Sequence, residues 1–253
     1  MTAKVTATRR VIATALVGGV ILGMAVPAAA GPAERLRDSL FHRHDSEAVG
    51  PPLARYVSED GRVFTLDRTQ PVTMLKFDDS PEVWVLEASP APRGDVIYKD
   101  DLGEPILRAT RLGGFTLFSD ERPNGEAVSL AGGGTPLRLA PLSPQALYDR
   151  MIQASFRSTR IARRTIGFQA EATPASSALM GDAAMVVTLA FYRLAERAGG
   201  KPVLGAFNTV SFEEGKKPSA TLKNGVLRVV VAPSQGLAGR PSSKRIMKVA
   251  AAR

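Results

Sequence analysis

Asp95, Asp101 and Glu104 are the residues in this sequence best placed to do catalytic chemistry. They lie close together in the β-rich stretch Gly94–Phe118, with Asp78, Asp79, Glu82 and Asp100 nearby. Two carboxyl groups held about 5–9.5 Å apart, one with a raised pKa, can hydrolyse a glycosidic bond. The same residues also suit a plainer role. Asp78-Asp79-Ser80-Pro81 and Asp100-Asp101-Leu102-Gly103 are what tight turns require. Other chemistries find less support. Ala232-Pro233-Ser234-Gln235-Gly236 approximates a nucleophile elbow, but glycines and a proline follow it where a helix should begin. The two histidines, His42 and His44, both precede it, so a serine relay has no downstream base. His42-Arg43-His44-Asp45 offers two imidazoles and a carboxylate in a stretch without fixed geometry, so no metal site is assigned. The chain has no cysteine, which excludes thiolate nucleophiles, disulfides, Cys-ligated zinc and a lipoprotein anchor. No cofactor is implied. Arg93-Gly94-Asp95 spells an adhesion tripeptide, a match too short to carry a function.

Four arginines form a second candidate. A helix starting at Ser143-Pro144 and running to about Arg164 puts Arg150, Arg157, Arg160 and Arg164 within about 80° of arc. That stripe is either the solvated edge of a surface helix or an anion-binding ridge. It lies beside an apolar face of Leu147, Met151, Ala154, Ile161 and Ala162.

The elements that must carry these residues fall into two blocks. From Leu53 to Ala131 the chain gives about eight short β-type runs separated by turn signals, the pattern of an antiparallel barrel or sandwich. Gly113-Gly114 suits a two-residue hairpin turn. Trp84, the only tryptophan, reads as a core anchor, with ligand stacking as the alternative. After the break Gly132–Pro136, residues 137–253 become helical. A second helix over Ser176–Ala198 is apolar nearly all round between Asp182 and Arg193, which marks a buried core helix. Strand-like VLGAFNTVSFEEG follows, then a hairpin at Asn224-Gly225 and a basic tail with at most one more short element. The fold class is α+β: a β meander, two helices and a C-terminal β-hairpin. Whether the two blocks share one core stays open.

The N-terminus implies export. Lys4, Arg9 and Arg10 precede an apolar run, Val11–Val26, and Ala28-Ala29-Ala30 offers a cleavage site before Gly31. Thr8-Arg9-Arg10 is similar to a twin-arginine signal, so the export route is open. Residues 31–52 read as a polar linker with a short helix over Ala33–Phe41. Removing Lys4, Arg9 and Arg10 from 33 basic side chains leaves 30 against 24 acidic. This surplus suits anionic lipid, lipopolysaccharide, wall polymer or another envelope protein. No nucleic-acid-binding motif is present.

The runs PPLARYVSEDGRVFTLDR, FDDSPEVW and RGDVIYKDDLGEPILRATRLGGFTLF, with GLAGRPSS near the C-terminus, resemble an uncharacterised family of exported Gram-negative proteins, domain of unknown function 4908. The resemblance covers about Gly50–Val249. It implies a secreted, periplasmic protein and supplies no catalytic residues. Together these features point to a non-enzymatic binding or structural module of the envelope. The alternative is a carboxylate-dependent hydrolase of envelope glycans.

Overall fold

Alternating apolar residues separated by glycine turns dictate the first half of the molecule. A computed structural model describes residues 50–252, which belong to the compact unit His44–Arg253. The expected export signal, nearly all of the expected linker and both histidines fall outside the described residues. Strands β1 (Leu53–Ser58), β2 (Val63–Asp67), β3 (Thr73–Phe77), β4 (Val83–Pro90), β5 (Val96–Lys99), β6 (Pro105–Ala109), β7 (Phe115–Leu117) and β8 (Glu126–Gly133) each pair antiparallel with the next. Strand β8 returns to β1, with Tyr56 opposite Leu130, so the sheet closes into a barrel. Its interior is filled: Phe64, Leu66, Leu75, Leu107 and Leu117 are fully buried. Closure of about eight strands leaves just the room that such side chains occupy.

Three of the turns share one geometry. In Ser58–Arg62, Asp100–Glu104 and Thr110–Gly114, the first amide donates to the last carbonyl, and the fourth residue is a glycine with φ of 85°, 84° or 92°. Each is therefore a three-residue loop with glycine in the left-handed position. This corrects the two-residue reading of Gly113-Gly114: only Gly113 has positive φ, and Gly114 lies in the closing pair.

The second half is an α/β layer. It contains α1 (Pro144–Ala162), β9 (Gly167–Ala170), α2 (Ser177–Glu196), α3 (Gly200–Leu204), β10 (Thr209–Glu214), β11 (Ser219–Lys223), β12 (Val226–Val231) and α4 (Ser243–Ala251). The sheet order is β11-β12-β10-β9, with β10 parallel to both of its neighbours. The Ser143 hydroxyl caps α1 by accepting from the Ala146 amide at 3.2 Å. Ser176 precedes α2 but does not cap it; its hydroxyl accepts from the Thr173 amide at 2.9 Å. Helix α2 is the core helix of this layer, with Met180, Val186, Val187, Ala190 and Phe191 fully buried. It is long and apolar enough to cross a membrane, but most of it is covered by the fold.

Two expectations change. The segment after α2 opens with α3, because Gly199 (φ 75°) turns the chain sharply and Gly200 sits against the Leu194 carbonyl, where a Cβ would lie 1.6 Å away. The basic tail contains a full helix, α4, capped by the Ser242 hydroxyl accepting from the Arg245 amide. Asn224-Gly225, with φ of 50° and 80°, makes the β11–β12 hairpin as its sequence implies.

Candidate functional site

The carboxylates offered for catalysis are tied up in ion pairs. Asp95 follows a 3-10 turn at Pro92–Gly94 and accepts from Arg108 Nε at 2.8 Å and from the Arg111 amide at 3.1 Å. Asp101 accepts from the Ser242 hydroxyl at 2.6 Å and from Arg245 Nε at 2.7 Å. Glu104 accepts from Lys244 Nζ at 2.7 Å. The Asp100–Glu104 loop is thus the socket into which the N-terminus of α4 plugs. The cap residue Ser242, with Lys244 and Arg245 of α4's first turn, supplies the donors.

One of the carboxylates near the turns is, with Asp67, among the most deeply buried charged groups of the fold. Glu82, next to the β3–β4 turn, is 1% exposed. It accepts from the Ser243 amide at 2.8 Å, the Ser243 hydroxyl at 2.6 Å and Arg193 Nη1 at 3.0 Å. Arg240 Nη1 lies 4.0 Å away. Arg240, also buried, donates to Asp182 and, at 2.9 Å, to the Val83 carbonyl. One carboxylate from the barrel therefore faces the start of α4, whose dipole favours it, and cations from α2 and the tail. Glu82, Asp182, Arg193 and Arg240 form a clasp between barrel and α/β layer. Spacing could not reveal it, because Glu82 and its Ser243 donor lie 161 residues apart.

Trp84, two residues beyond Glu82, stands on this seam. Phe77 meets it edge to face at 6.4 Å, and Lys244 Nζ lies 5.2 Å from its ring centroid. Its indole Nε1–H is buried and has no acceptor among the described residues. The ring lines a cleft of about 460 Å³, with Phe77, Ile106, Phe118 and Met247 as the other apolar walls. Arg62, Arg122, Arg193, Arg197 and Lys244 contribute cations, and Asp60, Asp120 and Glu121 contribute carboxylates. Asp95, Asp101 and Glu104 do not line it. Among the described residues no three histidine or carboxylate side chains converge as metal ligands.

The arginine stripe is only partly realised. Arg150, Arg157 and Arg160 are exposed on α1. Arg164 is not on the helix: α1 ends at Ala162, Arg163 turns left-handed (φ 53°), and Arg164 donates to the Gly205 carbonyl and the Asn208 side chain. Beside the remaining arginines runs a line of exposed apolar residues, Tyr148, Ile152 and Phe156, at 61%, 50% and 61% exposure. Arg160 lies 5.8 Å from the Phe156 ring. These residues rim a groove of about 960 Å³ between α1 and the edge strand β9.

The family described as Domain of unknown function (DUF4908) matches residues 35–250. The chain belongs to this family. No curated protein and no solved structure matches it. The DUF4908 match takes in the barrel, the clasp and the α/β layer together.

One consequence for this DUF4908 protein concerns pH. The Arg108 guanidinium, aided by the Arg111 amide, holds the Asp95 carboxyl below its ordinary value, about 3.9 in an unfolded chain. A lowered folded pKa contributes stability that is complete above the unfolded value and is lost as pH falls through the folded one. The urea midpoint of Asp95→Asn should therefore lie below that of the wild type near neutral pH, and the gap should close in acid. A gap that persists unchanged below the folded pKa would assign it to something other than this charge.

Proposed function

We propose that the protein is an exported, non-enzymatic module of the cell envelope that docks on anionic surfaces through α1. The observation that carries this reading is the exposed Tyr148–Ile152–Phe156 line flanked by Arg157 and Arg160. Apolar side chains that enter a headgroup boundary, with cations beside them, are what interfacial helices use. The N-terminal export signal and the surplus of basic residues after its removal agree with this reading. Hydrolysis of glycans by Asp95, Asp101 and Glu104 is disfavoured, because each carboxylate is held by a cation of the fold.

The test is cell fractionation together with co-sedimentation of the purified protein on phosphatidylglycerol or phosphatidylcholine vesicles. Binding should favour the anionic vesicles and weaken with salt. A basic residue near such a surface contributes about 1 kcal/mol, so Arg157→Glu with Arg160→Glu should reduce binding at least roughly tenfold. Unchanged partitioning of the folded double variant would remove α1 from the reading.

A further inference from the structure

We infer that the cleft around Trp84 is a binding site for a monosaccharide-sized organic anion, a sugar bearing a phosphate or carboxylate. Four observations converge on that class. The volume, about 460 Å³, lies within the usual range for small-molecule sites. The aromatic rings of Phe77, Trp84 and Phe118 in its walls suit the apolar C–H face of a sugar ring.

The cations divide into committed and uncommitted groups. Lys244 is held by Glu104 at 2.7 Å, Arg193 by Glu82 at 3.0 Å, and Arg62 lies 3.8 Å from Asp79 and 4.2 Å from the Phe77 centroid. Arg122 and Arg197 form no side-chain hydrogen bond or ion pair with a described residue. Guanidinium groups in that state suit a phosphate or carboxylate bidentately. The cleft also carries Asp60, Asp120 and Glu121. Carboxylates beside an anion site are unfavourable unless the ligand brings hydroxyl donors, and a sugar does. Asp60 already accepts from the Ser58 hydroxyl and the Arg62 amide, and Glu121 from Ser119, so sugar hydroxyls would add to donors that the fold supplies.

The fourth observation is the Trp84 indole. A buried N–H without an acceptor is rare in native proteins and costs about 1–3 kcal/mol. A ligand oxygen within reach of the indole would supply the acceptor this donor lacks. The cleft shares no residue with the exposed face of α1, so its test and the vesicle test succeed or fail separately.

Calorimetric titration of the purified protein with glucose 6-phosphate, glucuronic acid, glucose and inorganic phosphate decides the matter. Either sugar anion should bind at millimolar or lower concentration, and neutral glucose at least tenfold more weakly. Arg122→Ser with Arg197→Ser should weaken the sugar anion at least tenfold while leaving the urea midpoint unchanged. Trp84→Phe keeps an aromatic ring and removes the donor, and should also weaken binding. The proposal fails if neither sugar anion binds the folded protein. It fails equally if the double arginine variant binds as the wild type does, or if inorganic phosphate binds as tightly as glucose 6-phosphate.

Discussion

Replacing Glu82 by Gln should lower the unfolding free energy by about 3–5 kcal/mol, the cost of removing one partner from a buried ion pair. The carboxylate is 1% exposed and serves four groups at once: the Ser243 amide and hydroxyl, Arg193 and, more distantly, Arg240. Gln keeps the shape but cannot neutralise the cations, and its NH2 group is a donor facing donors. Trp84 gives a direct readout, because the only tryptophan stands on the same seam. Urea unfolding followed by its emission should show the lowered midpoint. Replacing both partners with apolar residues, Glu82→Leu with Arg193→Met, should recover part of the loss, since the remaining cost is an unpaired charge and not a missing attraction. A loss for Glu82→Gln below about 1 kcal/mol, the level of a surface pair, would mean that the clasp does not hold the halves together.

Phe191→Ala should cost a similar amount, about 3–5 kcal/mol, for a different reason. The ring is fully buried in the middle of α2 and tilts against Phe207 at 4.7 Å between centroids. Its removal leaves a cavity in the α/β core and touches nothing in the barrel, whose apolar cluster is separate. The two substitutions together make a sharper measurement than either alone. Phe191→Ala alone should unfold in one transition at a lower urea concentration, because the clasp still couples the layers. With Glu82→Gln added, far-UV circular dichroism and tryptophan emission should no longer coincide, which marks loss of two-state behaviour. Leu112→Ala, at a position 94% exposed, serves as the control and should stay within about 0.5 kcal/mol of wild type. Coincident transitions in the double variant would show that the halves are coupled through contacts other than the clasp.

The barrel was legible because its signals are local. Alternation places Phe115 and Leu117 inside, and Asp60-Gly61 and Asp100–Gly103 mark turns within a few residues of the strands they join, as Asn224-Gly225 does for the β11–β12 hairpin of the α/β layer. Helix α2 was equally plain, since an all-apolar stretch such as Ala183–Phe191 has no soluble alternative to burial. What failed was whatever depends on distant partners. Arg164 continues the stripe of α1 on a helical wheel, but a left-handed Arg163 takes it off the helix and turns it to Gly205 and Asn208. Helix α4 escaped notice because its tail is short and basic, and its stability comes from Asp101, Glu104 and Glu82, far away in sequence. For the same reason those carboxylates looked catalytic or loop-bound. Only the assembled fold shows which cations they face. Trp84 was read as a core anchor, yet it is a wall of the cleft as well as a packing residue.

The clasp also dictates an order of events. Protein chains emerge from the ribosome N-terminus first. The barrel closes when β8 pairs with β1, so all its strands are present once Gly133 has appeared. Glu82 then stays hydrated at the barrel surface until Arg240 and Ser243, which follow the barrel by more than 100 residues, arrive to cover it. The first turn of α4, with Arg240 just before it, is therefore the latch. A chain cut short before Arg240 would carry a complete set of barrel strands, but it would lack both the groups that join the two layers and Ile246, Met247 and Ala250, which complete the α/β core.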